Sequence, residues 1–222
     1  MARRYELIVF DWDGTLLDSA GAIAACIQAA ARDLGLAVPT SEQARHVIGL
    51  GLADALMTAM PWADAALYPQ IAERYRHHFL SQDQDLSLFT GAEALIQALH
   101  GEELLLAVAT GKSRLGLNRA LEQSGLGPYF HATRTADETF SKPHPAMLQE
   151  LMEELGIAPA STLMVGDTTH DLQMANNAGV DALAVSFGAH PKASLLAEKP
   201  VACFDRFSDL GDWLLKRAQR DG

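Results

Sequence analysis

Cysteine is scarce: Cys26 and Cys203 are the two in 222 residues. That excludes a disulfide-stapled scaffold, and neither has the partner spacing of a metal clip. Both are expected to be reduced, buried, small apolar side chains. Long hydrophobic runs are missing too, for no stretch approaches the ~20 residues of a membrane-spanning helix. The apolar segment after Arg3 and Arg4 is only Leu7 to Phe10, bounded by Glu6 and Asp11, too short for a signal peptide. A cytoplasmic protein with no membrane partner is the simplest reading. Positive charge is also short: 17 Lys and Arg against 28 Asp and Glu give a net charge of −11. This opposes non-specific attraction to nucleic acid and points to a small-molecule partner. If that partner is anionic, an acidic chain must concentrate positive charge locally, through a metal, a lysine or a helix N-terminus.

What is present is an ordinary globular composition, 49% hydrophobic and 20% charged. Short apolar runs at Leu7 to Phe10, Leu104 to Ala109, Thr162 to Val165 and Ala182 to Val185 read as buried parallel strands, with a further short strand near His131 to Thr135. Helical patterns lie between them at Ala92 to Leu99, Arg114 to Gln123, Pro145 to Leu155 and Leu172 to Ala178. This alternation predicts an α/β fold with a doubly wound parallel sheet. Residues 16–87 contain no strand pattern and read as an inserted helical unit. Ala22 to Leu34 is strongly helical, Thr40 with Gln43 predicts a capping box opening a helix toward Gly49, and Leu52 to Met60 and Ala65 to Leu80 complete it. The expected division is a core of residues 1–15 and 88–222 with a helical cap over 16–87.

The chemistry-bearing residues sit at the ends of these strands. Asp11 and Asp13, in Asp11-Trp12-Asp13-Gly14-Thr15, lie where ligands gather on open α/β sheets. Such a carboxylate pair favours a cation, and oxygen-only ligands favour Mg²⁺; alone, the pattern reads equally as a turn opened by aspartate. A second acidic strand end, Gly166-Asp167 followed by Asp171, joins the first if the two strands are neighbours; alone, Asp167 reads as a helix N-cap. Thr110-Gly111-Lys112-Ser113 offers a hydroxyl and backbone N–H groups at a helix start, suited to a phosphoryl oxygen, or a simple turn capped by Thr110. It is not a nucleotide-binding P-loop, which needs a glycine where Leu106 stands. Lys142 lies in a segment stiffened by Pro143 and Pro145.

In this order, Asp11-Trp12-Asp13-Gly14-Thr15, Thr110, Lys142 and Gly166-Asp167 with Asp171 resemble the four signature motifs of the haloacid dehalogenase superfamily of phosphohydrolases. The helical insert resembles the C1 cap of subfamily IA, the branch that includes phosphoglycolate phosphatase and β-phosphoglucomutase. The resemblance implies that Asp11 attacks phosphorus and that Asp13 protonates the leaving alcohol and later deprotonates water. It implies Mg²⁺ held by Asp11, Asp13 through its backbone carbonyl, and Asp167, with Asp171 behind them. Thr110 and Gly111 would hold phosphoryl oxygens, and Lys142 would balance charge.

Asp13 argues against a dehalogenase, and the absence of lysine from residues 1–111 excludes a Schiff-base hydrolase with a cap lysine. Trp12 stands where the family commonly has an aliphatic residue and suggests a modified neighbouring pocket. The cap segment Arg45-His46-Val47-Ile48-Gly49-Leu50-Gly51 resembles the substrate loop of phosphoglycolate phosphatases. Arg45 or His46 would face a substrate carboxylate and Gly49 and Gly51 would bring backbone N–H groups close; a solvated helix end stopped by Gly49 is the alternative. His77, His78 and His170 are read as bland, and Met147, Met152 and Met164 as core. The expected activity is hydrolysis of a small phosphate monoester, phosphoglycolate first, by a monomer or homodimer. A sugar-phosphate mutase and a catalytically idle binding protein are the alternatives.

Overall fold

The computed structural model describes residues 5–82 and 85–218. Among them, six strands form one sheet: β1 (Leu7–Phe10), β2 (Leu105–Thr110), β3 (Ala132–Thr135), β4 (Thr162–Gly166), β5 (Asp181–Val185) and β6 (Ala202–Phe204). The order is β3-β2-β1-β4-β5-β6, and every pairing is parallel. The chain runs outward from β1 to β3, returns to β4 on the other side of β1, and runs outward again. The carboxyl ends of β1, β2 and β4 therefore border the switch point, where the loops diverge and leave a crevice.

Strand alternation builds a core on each face. Ile8, Phe10, Leu106, Val108, Leu163 and Val165 point to one side, which is covered by α5 (Ala92–Gly101), α6 (Arg114–Ser124) and α10 (Phe207–Ala218). Leu7, Val9, Ala107, Ala109 and Met164 point to the other, under α7 (Ala146–Leu155), α8 (Thr169–Ala178) and α9 (Lys192–Ala197). Met147, Met152 and Met164 are buried in this second core, as the sequence suggests. Cys26 is buried and Cys203 only half-buried, a departure from expectation that follows from its place on the edge strand β6.

Between β1 and α5 the chain forms α1 (Ala20–Asp33), α2 (Ser41–His46), α3 (Leu52–Ala59) and α4 (Tyr68–Gln82). These helices bury their own apolar cluster, including Ile23, Ile27, Val47, Leu56 and Ile71. The Thr40–Gln43 capping box forms, but α2 stops at His46 rather than running toward Gly49, whose φ is +95°. The two connections to the sheet run side by side, joined by an antiparallel bridge between Leu17 and Leu88.

Candidate active site

β1 is fully buried and delivers Asp11 directly into the crevice. The turn that follows is held by backbone bonds from Leu16 and Leu17 to the Trp12 carbonyl and from Gly14 to the Leu17 carbonyl. Gly14 has φ +82°, and a Cβ there would lie 2.2 Å from Asp167 Oδ2, so the close approach of the two motifs requires glycine. The turn directs the Asp13 carboxylate toward Ser19, which donates at 2.8 Å, and Lys112, whose ammonium is 3.0 Å away.

β4 is adjacent to β1 and delivers Asp167, which accepts from the Thr15 hydroxyl at 2.9 Å and the Ala189 N–H at 2.7 Å. Asp171 lies in the first turn of α8 as the third residue of a capping box opened by Thr168. One of its oxygens takes Thr168 N–H and O–H, and the other receives Lys142 Nζ at 2.6 Å. Lys142 also donates to Asp11 Oδ1 at 2.7 Å, and both side chains are buried. Lys142 thus bridges two carboxylates and is held in its protonated form, since Asp11 and Asp171 raise its pKa against the opposing effect of burial.

One ammonium does not balance this group of acids. Burial pushes Asp11 up to about 7 although Lys142 pulls it down, and burial together with Asp11 and Asp171 raises Asp167 well above the usual carboxylate range. Asp11 Oδ2 is buried without a hydrogen-bond partner, and Asp11, Asp167 and Asp171 each offer an oxygen within 4.8 Å of one another. An oxygen-only donor set around an orphaned carboxylate oxygen suits a hard divalent cation. The Asp13 side chain, turned toward Ser19 and Lys112, is not part of that group.

Thr110 closes β2 and its hydroxyl accepts from the Lys112 N–H at 3.2 Å, so the turn expected as an alternative is formed. Thr110 and Gly111 also line a cavity of about 470 Å³ that opens onto Asp11 and Asp13. The segment carrying Gly49 and Gly51 forms part of its wall and is packed against the sheet's carboxyl edge: Gly51 N–H donates to Ser141 Oγ at 2.8 Å. A Cβ on Gly111 would lie 2.4 Å from the Leu50 carbonyl oxygen and 2.5 Å from that of Gly49.

Arg45 and His46 do not face this cavity. Arg45 donates to the Gly188 carbonyl at 3.3 Å, and the His46 ring stacks on His190 with centroids 5.2 Å apart. His170 has a structural contact: its Nε2 and that of His190 both donate to the His46 carbonyl, at 2.8 and 3.0 Å. Thr169 N–H donates to His190 Nδ1, which places the ring proton on Nε2, and burial lowers the pKa of both rings, His190 to about 4. His78 is also engaged, on Asp33 at 2.8 Å. Trp12 is buried in the core against Phe130 and lines no part of the cavity, so its indole does not modify the pocket as expected. Ser19, Ser141 and Thr168 escape sequence reading because each acts by bonding another side chain or a distant amide.

The sequence profile of a family described as haloacid dehalogenase-like hydrolase matches residues 8–185. The chain belongs to that family. This haloacid dehalogenase-like hydrolase is 38% identical over 210 residues to a protein named "Probable phosphatase IndB" from Dickeya dadantii, covering 92% of this chain and 91% of the relative. It is 33% identical over 216 residues to the phosphoglycolate phosphatase of Aliivibrio fischeri, covering 92% and 94%. Its fold matches the crystal structure of a predicted phosphoglycolate phosphatase from Haemophilus somnus with a TM-score of 0.85 at 26% identity, covering 99% and 100% of the two chains.

Proposed function

We propose that this protein is a Mg²⁺-dependent phosphatase that hydrolyses a small phosphate monoester through an aspartyl-phosphate on Asp11. The observation that carries the reading is Asp11 itself: one oxygen is fixed by Lys142 at 2.7 Å and the other is buried and unpaired beside the cavity. In the first step an Asp11 oxygen bonds to phosphorus, the P–O bond to the alcohol breaks, and Asp13 gives the departing oxygen its proton. In the second, Asp13 takes a proton from water as that water attacks phosphorus, which releases phosphate and restores the Asp11 carboxylate. Thr110 and the Gly111 N–H hold phosphoryl oxygens, and Lys142 offsets charge on the nucleophile. Asp11, the Asp13 carbonyl and Asp167 would hold Mg²⁺, which supplies neutralisation of the phosphoryl charge when bound. Asp171 acts through Lys142.

The relatives named as phosphatases support hydrolysis, and the helical unit over 16–87 acts as a cap that excludes water from the crevice. A sugar-phosphate mutase would use the same carboxylate pair, and no residue of the site favours it. The test is phosphate release from a panel of phosphate esters with Mg²⁺ or with chelator, for the parent, Asp11→Asn and Asp13→Asn. Metal-dependent release is expected, abolished in Asp11→Asn and lowered about 10²–10⁴-fold in kcat in Asp13→Asn. Release that persists in Asp11→Asn, or that ignores chelator, sinks the proposal.

A further inference from the structure

The cavity next to Asp11 and Asp13 is built for more than a two-carbon acid. At about 470 Å³ it falls in the range of sites that enclose a drug-sized ligand. Its wall is apolar on several sides, with Ile23 and Ile27 from α1, Ile48 from the following loop, Tyr75 and Phe79 from α4, and Leu115 from α6. Leu80 and Leu115 also belong to the lining and remain 50% and 72% exposed.

The charges in the wall are of both signs. Asp54 and Asp137 join Asp11 and Asp13 there, against Lys112, Arg76 and Arg119. Lys112 is committed to Asp13 at 3.0 Å and to the Phe79 ring, 4.8 Å from its centroid. Arg76 is exposed to solvent. Arg45, the cap cation suited to a substrate carboxylate, is bonded to the Gly188 carbonyl outside the cavity. The Phe79 ring is fixed by the stacked Tyr75, centroids 5.9 Å apart, so it presents a preset surface to whatever lies against it.

We propose that the substrate is the phosphate monoester of an alcohol with an extended apolar or aromatic body, which lies between α1, α4 and α6 while its phosphoryl group reaches Asp11. The inference rests on the phosphatase reading above and concerns only the leaving group.

The experiment measures kcat/KM with Mg²⁺ for ethyl, butyl and hexyl phosphate, phenyl phosphate and phosphoglycolate, on the parent and on Phe79→Ala. The value is expected to rise roughly fourfold for each buried methylene. Hexyl and phenyl phosphate should both exceed phosphoglycolate. Phe79→Ala should lower the hexyl and phenyl values about tenfold more than it lowers the ethyl value, so the hexyl-to-ethyl ratio falls by that factor, and an unchanged ratio overturns the inference. A flat alkyl series in the parent, or phosphoglycolate as the best ester, overturns the inference while metal-dependent, Asp11-dependent turnover leaves the phosphatase intact. Absence of turnover across all five esters removes both.

Discussion

The ammonium of Lys142 lies 2.7 Å from the Asp11 carboxylate, with both side chains closed off from solvent. The lysine is therefore a structural counter-charge as well as part of the site. Lys142→Met leaves Asp11, Asp167 and Asp171 buried with no cation among them. Removing one partner of a buried ion pair costs about 3–5 kcal/mol. Urea unfolding in chelator should register a loss of that order, and on the proposed reading of the acidic cluster saturating Mg²⁺ should recover part of it. Equal stability of parent and variant in chelator would show that the cluster carries no electrostatic load.

Gly111 fixes how closely the 47–51 segment can approach the carboxyl end of β2. Its place for a Cβ is already taken by the carbonyl oxygens of Leu50 and Gly49, at 2.4 and 2.5 Å. Backbone cannot yield as a flexible side chain does, so Gly111→Ala should hold that segment away from the sheet edge. The expected result is a fall in kcat/KM of about 10²-fold, as follows when a site is misplaced by about 1 Å. Hydrogen exchange should quicken at residues 47–51 while the sheet stays protected. Unchanged exchange at 47–51 would show that the segment accommodates the methyl group.

Much of this arrangement is legible in the sequence, for a physical reason: the candidate site's carboxylates follow buried parallel strands, and such strands read as short apolar runs ending in Asp or Thr. The four runs first identified all appear, within one residue at each end, as does the short strand at Ala132–Thr135. β6 is only half-buried and three residues long, which leaves little apolar signal. What the sequence hides is direction and partnership at long range. Arg45 and Gly188 are 143 positions apart, and His46 and His170 124, so nothing local shows that the α2 terminus turns toward α8 and the segment after β5 instead of the cavity. Lys112 has no role legible in the sequence, and nothing local shows its 3.0 Å contact with Asp13.

The segment leading to Lys142 is braced by Glu138, and that brace is acid-sensitive. Glu138 is held down to about 2 from an ordinary 4.5, first by hydrogen bonds from Arg114 and then by Thr135. Its folded-state pKa is depressed, so the unfolded chain binds the proton more readily between these values. The stabilisation is present above about 4.5 and is lost as pH falls toward 2. Stability measured by urea unfolding between pH 6 and pH 3 should fall more steeply for the parent than for Glu138→Gln. Parallel profiles would remove Glu138 from the acid response. The group is largely exposed, so the difference is expected to be small and to shrink in high salt.

Trp12 separates a packing role from a recognition role. Its ring is fully buried, edge-on to Phe130 at 6.3 Å, and its indole N–H has no partner. An unpaired buried donor costs about 1–3 kcal/mol, so Trp12→Phe gives up contact area but sheds that penalty, and the two effects oppose each other. Stability should change by no more than about 1 kcal/mol, whereas Trp12→Ala, which sheds the same donor but loses far more packed volume, should cost about 3–5 kcal/mol. Because Trp12 lines no part of the cavity, the ratio of kcat/KM between any two phosphate esters should be the same in Trp12→Phe as in the parent. A shift in that ratio with stability unchanged would mean that the indole shapes the substrate site through Asp11 and Asp13 on either side of it, and that the core position does not account for the residue.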